Sequence, residues 1–183
     1  MRYFSSILMI LLLFNISNIK ADEKNKQLDR LFNDLKFKDA SLSYEIEKKI
    51  WKLWSTHPNN DKLTVMLAKG SNLVNNNKLN EAIDVFSNVI DLDPNWAEAW
   101  NKRATVLYMV GKFKKSQEDI DKVLEIEERH FGALAGQGLV NIQLENYEKA
   151  IISYKKAQQI YPSMQSPKIM IKQIEELIKR ESI

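Results

Sequence analysis

The sequence predicts an all-α fold, a solenoid of stacked helix hairpins closed by capping helices. Three observations predict it. The 183 residues include only five glycines and four prolines, so long stretches carry no helix breaker. Apolar residues recur at helical spacing through most of the chain. The pattern also repeats itself at a fixed step of 34 residues, the signature of a repeat architecture.

The step is visible position by position. It links Ala82, Ser116 and Ala150; Leu79, Phe113 and Tyr147; and Phe86, Ile120 and Tyr154. It also links Met66, Trp100 and Leu134; Gly70, Ala104 and Gly138; Val89, Val123 and Ala157; and Leu92, Ile126 and Ile160. Pro94 and Pro162 lie two steps apart, with Glu128 between them. The blocks 63–96, 97–130 and 131–164 therefore tile without a gap.

Each block reads as two helices. The predicted segments are 63–75 with 79–92, 97–110 with 114–126, and 131–144 with 147–160. The turns between them hold Asn75-Asn76-Asn77, Gly111-Lys112 and Glu145-Asn146, short and breaker-rich. Asn95 followed by Glu98 reads as a capping box opening the second block. Small residues belong where the helices of one hairpin approach closely. Phe86, Ile120 and Tyr154 are expected between neighbouring hairpins. One hairpin cannot bury its apolar face alone, so stacking is obligatory.

These positions resemble the tetratricopeptide repeat family, whose period is 34 residues. Trp100 matches the aromatic of the family's first helix, and Gly70, Ala104 and Gly138 its small residue. Phe113 and Tyr147 match the aromatic that opens the second helix. Ala82 and Ala150 match the small residue inside it, Phe86 and Tyr154 the aromatic one turn on, and Pro94 and Pro162 the closing proline. The resemblance covers 102 of the 183 residues. The departures are Ser116, Glu128 and Asn141. The resemblance implies a right-handed α-solenoid.

Residues 22–62 read as a degenerate N-terminal hairpin or cap. Leu28, Leu31, Phe32 and Leu35 form one stripe, and Ile46, Ile50, Leu53 and Trp54 another. Trp51 and Trp54 are expected to pack this hairpin on block 63–96. Residues 165–183 read as a C-terminal capping helix over 167–180. Ser166 caps it, Pro167 stands at its first position, and Ile169, Ile171, Ile174 and Leu177 form its buried stripe.

Residues 1–21 read as a leader. Arg2 is followed by an uncharged stretch to Ile19, with a continuous apolar centre from Ile7 to Phe14 and a small residue at Ala21. This is the layout of a signal peptide. An uncleaved anchor is the alternative, although the apolar run is shorter than the roughly 20 residues a span needs. Either reading puts the body in the periplasm, free in one case and anchored to the inner membrane in the other.

The formal charge is +3. Arg2 and Lys20 belong to the leader, and the remaining basic residues are interleaved with acidic ones, which argues against nucleic acid. There is no cysteine, so disulfides and thiolate chemistry are excluded. His57 and His130 are the only histidines and are expected on the surface. A metal site needs three or four convergent ligands, and the chain carries no phosphate loop, nucleophile elbow or zinc motif. The expectation is no catalytic residue, no metal and no cofactor.

The family resemblance implies that the first helices of the hairpins line a concave groove. By position, the groove residues would be Leu67, Ser71, Val74, Asn101, Thr105, Tyr108, Ala135, Leu139 and Ile142, with Glu98 and Lys102 beside them. Some members of the family clamp a terminal carboxylate with paired Lys and Asn residues. Here Leu67 and Ser71, and Gly132 and Gly136, stand at those positions, so the clamp is missing. The groove leans apolar, which favours an amphipathic helix or hydrophobic strand. The expected function is a non-catalytic protein- or peptide-binding adaptor or scaffold of the cell envelope. The alternatives are a self-assembling structural subunit, or an accessory subunit of an envelope enzyme or secretion complex.

Overall fold

The computed structural model describes residues 21–36 and 39–181. Residues 1–20 of the expected leader lie outside the described residues, and Ala21 begins the first described helix. Among those described there are nine helices and no strand. They are α1 (21–36), α2 (Ala40–Trp54), α3 (Asp61–Asn75), α4 (Leu79–Leu92), α5 (Ala97–Met109), α6 (Phe113–Ile126), α7 (Phe131–Gln143), α8 (Tyr147–Ile160) and α9 (Gln165–Glu181). Helices α3/α4, α5/α6 and α7/α8 pair as hairpins, and α4 packs on α5, α6 on α7 and α8 on α9. Helix α5 also touches both α3 and α7, so the first helices of the hairpins form one layer.

The hairpin turns are built identically. Asn77, Gly111 and Glu145, one repeat apart, have φ of 57°, 75° and 60°. After each, the next residue's N–H reaches back to Leu73, Leu107 or Asn141, at 2.8–2.9 Å. This is a left-handed helix stop that satisfies otherwise unpaired carbonyls. The turns between hairpins also share one pattern. The N–H groups of Trp96, His130 and Met164 donate to the carbonyls of Asp93, Glu127 and Tyr161. Glu128 makes this turn without the proline its equivalents carry.

Side-chain size is matched inside each hairpin. A Cβ on Gly70 would lie 2.4 Å from the Phe86 ring, and one on Gly138 2.5 Å from the Tyr154 ring. The middle hairpin carries the slimmer Ile120, and there Ala104 fits. The large residues thus press on their own hairpin's first helix, which the expectation of a purely inter-hairpin role missed. Ser116 is buried where its equivalents are alanine, and its hydroxyl donates to the Ala104 carbonyl at 2.8 Å. A polar link also repeats. Arg103 holds Asp119 with two 2.8 Å hydrogen bonds and Ser87 with one of 3.0 Å. One repeat later, Gln137 donates to Asp121 and accepts from Ser153. Each link ties a first helix to the second helices on both sides of it.

Three local expectations are corrected. The N-cap of α5 is Trp96, and no side chain caps it. Glu98 is instead buried in a tertiary cluster, so there is no capping box. Helix α9 begins at Gln165, which puts Pro167 inside the first turn, where its missing N–H costs nothing. Ile169 is 55% exposed, and the buried side of α9 runs through Pro167 and Ile174.

The placement of α1 and α2 differs most from expectation. Val65 and Asn72 on the outer face of α3 are exposed, whereas the equivalent Ala99, Val106, Ala133 and Val140 are buried. The N-terminal hairpin therefore does not occupy the place of a preceding repeat. Leu28, Phe32, Leu35, Ile46, Ile50 and Trp54 form a core with Phe131 and Tyr161, at the start of α7 and the end of α8. The Trp51 and Trp54 rings pack on His130 and Phe131, and Trp54 meets block 63–96 only at its last residue, where its carbonyl accepts from Trp96.

Candidate functional site

A cavity of about 70 Å³ opens between α5 and α7. Asn101, Thr105 and Tyr108 line it from α5, and Gly132, Gly136, Leu139 and Val140 from α7. Ala104, Ser116, Ile120 and Ala133 complete the lining. The cavity exists because α7 carries a glycine at 136; at the other lining glycine, Gly132, the Trp51 ring takes the place of the missing side chain. A Cβ on Gly136 would meet nothing nearer than Ile120 at 3.7 Å, so a side chain there would enter open space. The cavity has room for about one small aliphatic side chain. Its polar groups are turned inward: Thr105 donates to the Asn101 carbonyl at 2.9 Å, and Asn101 donates to Glu98 at 3.0 Å.

The eleven groove positions divide. Asn101, Thr105, Tyr108 and Leu139 converge on the cavity. Ser71 and Val74 are half-buried on α3. Ala135 and Ile142 pack toward the cluster of Tyr154 and Ile174. Leu67, 2% exposed, is core, and Glu98, 1% exposed, is sealed. Neither presents a side chain to an open groove. Lys102 stands over the Trp51 ring and 3.2 Å from Glu98. The sequence reading missed Ala104, Ser116 and Ile120 as cavity lining. Gly136 is not among the expected groove positions, and its missing side chain on the α7 face toward α5 was the available signal.

Both histidines are buried, contrary to expectation. His57 is 2.7 Å from Asp93. His130 Nδ1 accepts the Ala133 N–H at 3.0 Å, which leaves Nε2 to face Glu98. That nitrogen donates to Glu98 at 3.1 Å. Trp54 stacks on the same imidazole, with ring centroids 3.9 Å apart. Burial pushes the Glu98 carboxyl upward, but His130 and Lys102 outweigh it and hold it below its ordinary value. Lys24, which donates to the Thr56 carbonyl at 2.9 Å, is pushed down to about 8 by burial, with Glu98 opposing. The Glu98–His130 pair has no exposed atom on either side chain. A substrate cannot reach it, and its chemistry is that of a fastening. Among the described residues no three potential ligands are grouped for a metal ion.

Known proteins share this architecture. The sequence profile described as Tetratricopeptide repeat matches residues 63–95 and 132–164. A TPR repeat-containing protein of Rhizobium etli is 29% identical over 153 residues, covering 80% of this chain and 74% of its own. The first TPR of Spaghetti (RPAP3) bound to HSP90 peptide SRMEEVD superposes with a TM-score of 0.63 at 21% identity, over 65% of this chain and 94% of that one. The Sgt2 TPR domain from Aspergillus fumigatus does so with a TM-score of 0.64 at 16% identity, over 67% and 83%. With the 34-residue tiling, the repeated turns and the size-matched hairpins, these likenesses support one conclusion: the chain carries tetratricopeptide repeats, matched at residues 63–95 and 132–164, in an all-α repeat solenoid.

Proposed function

We propose that this protein is a non-catalytic adaptor of the cell envelope that binds an apolar segment of another protein in the groove formed by α3, α5 and α7. The observation that carries the reading is the cavity between α5 and α7, whose rim of Asn101, Thr105, Tyr108 and Leu139 is free of charge. Such a notch takes one aliphatic anchor of an extended or helical segment. The structural neighbour with the HSP90 peptide SRMEEVD supports peptide binding as a use of this architecture. The partner here is of different chemistry. Lys102 is neutralised by Glu98, and glycines replace clamp residues at 132 and 136, so an acidic tail has no countercharge. The envelope location rests on the leader sequence.

Gly136→Leu tests the reading, because the new side chain fills the cavity from a position with space for it. A photo-crosslinker at Thr105 in the native envelope should capture a discrete partner in the wild type. The capture should be lost in Gly136→Leu and in Tyr108→Glu, with helicity by circular dichroism unchanged. Equal capture by all three proteins would sink the groove assignment.

A further inference from the structure

We infer that α1 and α2 form a strap that couples the three hairpins directly to one another and holds the groove in one preformed shape. In an open solenoid each repeat touches only its neighbours, and stability is a sum of local terms. Here a second connection runs along the edge where the inter-hairpin turns line up.

Helix α1 crosses those turns in order. Lys24, Asn25 and Leu28 border a cavity of about 170 Å³ shared with Asp93, Trp96 and Glu127. Asp29 is 2.6 Å from Arg129, whose guanidinium also lies over the Phe32 ring. Asn33 and Lys36 come alongside Gln159 and Ile160 at the end of α8. Helix α2 returns the other way. Glu47 accepts from the Tyr161 hydroxyl at 3.1 Å. Trp51 and Trp54 then enclose His130 and Phe131. The Trp54 carbonyl accepts from Trp96 at 2.8 Å, and His57 reaches Asp93. The second turn is thus held from both strap helices, the third by Glu47 of α2 and the apolar core that both helices share with Tyr161, and the first from the end of α2 and His57 beyond it. A 15-residue helix is about 22 Å long, enough to cross two helix spacings of about 10 Å. The strap also borders the groove, because Trp51 lies on Gly132, a cavity-lining residue.

Gly132 offers a clean way to lift the strap. A Cβ there would be 2.5 Å from Trp51 Cη2 and 2.9 Å from Cζ2, its two nearest contacts. Alanine is otherwise the better helix former. Hydrogen exchange of the full chain, read separately for α3–α4 and α7–α8, tests the coupling. Gly132→Ala and Trp51→Ala should each lower protection about tenfold or more in both pairs of helices, although neither substitution touches α3 or α4. In the Trp51→Ala background, Gly132→Ala should have no further effect. Tyr161→Phe removes only the hydroxyl link to Glu47 and covers the case in which the larger changes prevent folding; it should lower protection in α3–α4 by about threefold. Losses confined to α7–α8, or effects of the two substitutions that simply add, would overturn the strap.

Discussion

Glu98 is the most informative residue to perturb, because one buried carboxylate joins the end of α2 to the starts of α5 and α7. Its side chain is fully enclosed. One oxygen takes Ser55 at 3.5 Å and Lys102 at 3.2 Å; the other takes Asn101 at 3.0 Å and His130 at 3.1 Å. Glu98→Ala leaves the His130 and Asn101 donors buried without an acceptor. At about 1–3 kcal/mol each, with the lost ion pair, the cost should be about 3–5 kcal/mol. Glu98→Gln is milder. Its carbonyl can keep Asn101 and His130, while Lys102, one-third exposed, turns to water and Ser55 rotates to accept. The loss is one ion pair to a partly exposed lysine and the charge assistance on two bonds, about 1–2 kcal/mol. For a chain of this size each kcal/mol moves Tm by about 2–4 °C.

The pH dependence adds a second readout. The folded carboxyl lies below its ordinary 4.5, so the unfolded chain takes up the proton first as pH falls. The stabilisation is therefore present above pH 4.5 and is lost as pH drops below it. Chemical denaturation followed by tryptophan fluorescence, with Trp51 and Trp54 beside the cluster, measures both effects. The expected order of stability is wild type, Gln, Ala, with a flatter acid limb in the variants. A Glu98→Gln protein with wild-type stability at pH 7 and an unchanged acid limb would refute the account of how the strap is fastened.

Two further outcomes follow from local geometry. Glu145 holds φ = 60° where Gly111 stands one repeat earlier, so Glu145→Gly should stabilise by up to about 1 kcal/mol, read as a rise in denaturation midpoint; a fall would show that the side chain contributes more than the strained backbone costs. Gly138→Ala should destabilise by about 1–3 kcal/mol through overlap with Tyr154, and the penalty should shrink when Tyr154→Ile recreates the Ala104/Ile120 pairing; an undiminished penalty in thermal melts of the double variant would contradict the size matching.

The groove was partly legible. Asn101, Thr105, Tyr108 and Leu139 follow from repeat position, because the face of a first helix is set by its phase. Glu98 followed the same logic and led elsewhere. Its partners Ser55 and His130 lie 43 and 32 residues away, and no spacing within one helix announces them. The histidines looked solvent-exposed for the same reason, since neither has its acidic partner on its own helix.

What the sequence alone determined is whatever is local or periodic: the six repeat helices and the short turns that join them in pairs. Each is decided by residues within one hairpin and written three times, so helical phase and the 34-residue step expose it. Only the tertiary structure decided where the N-terminal hairpin lies. Its fastenings join Asp29 to Arg129 and Glu47 to Tyr161, 100 and 114 residues apart. Two amphipathic helices can bury their apolar stripes against any complementary face. The choice between the end of α3 and the line of turns fell to a polar outer face on α3 and to Trp96, His130 and Tyr161, which become neighbours only once the repeats have stacked.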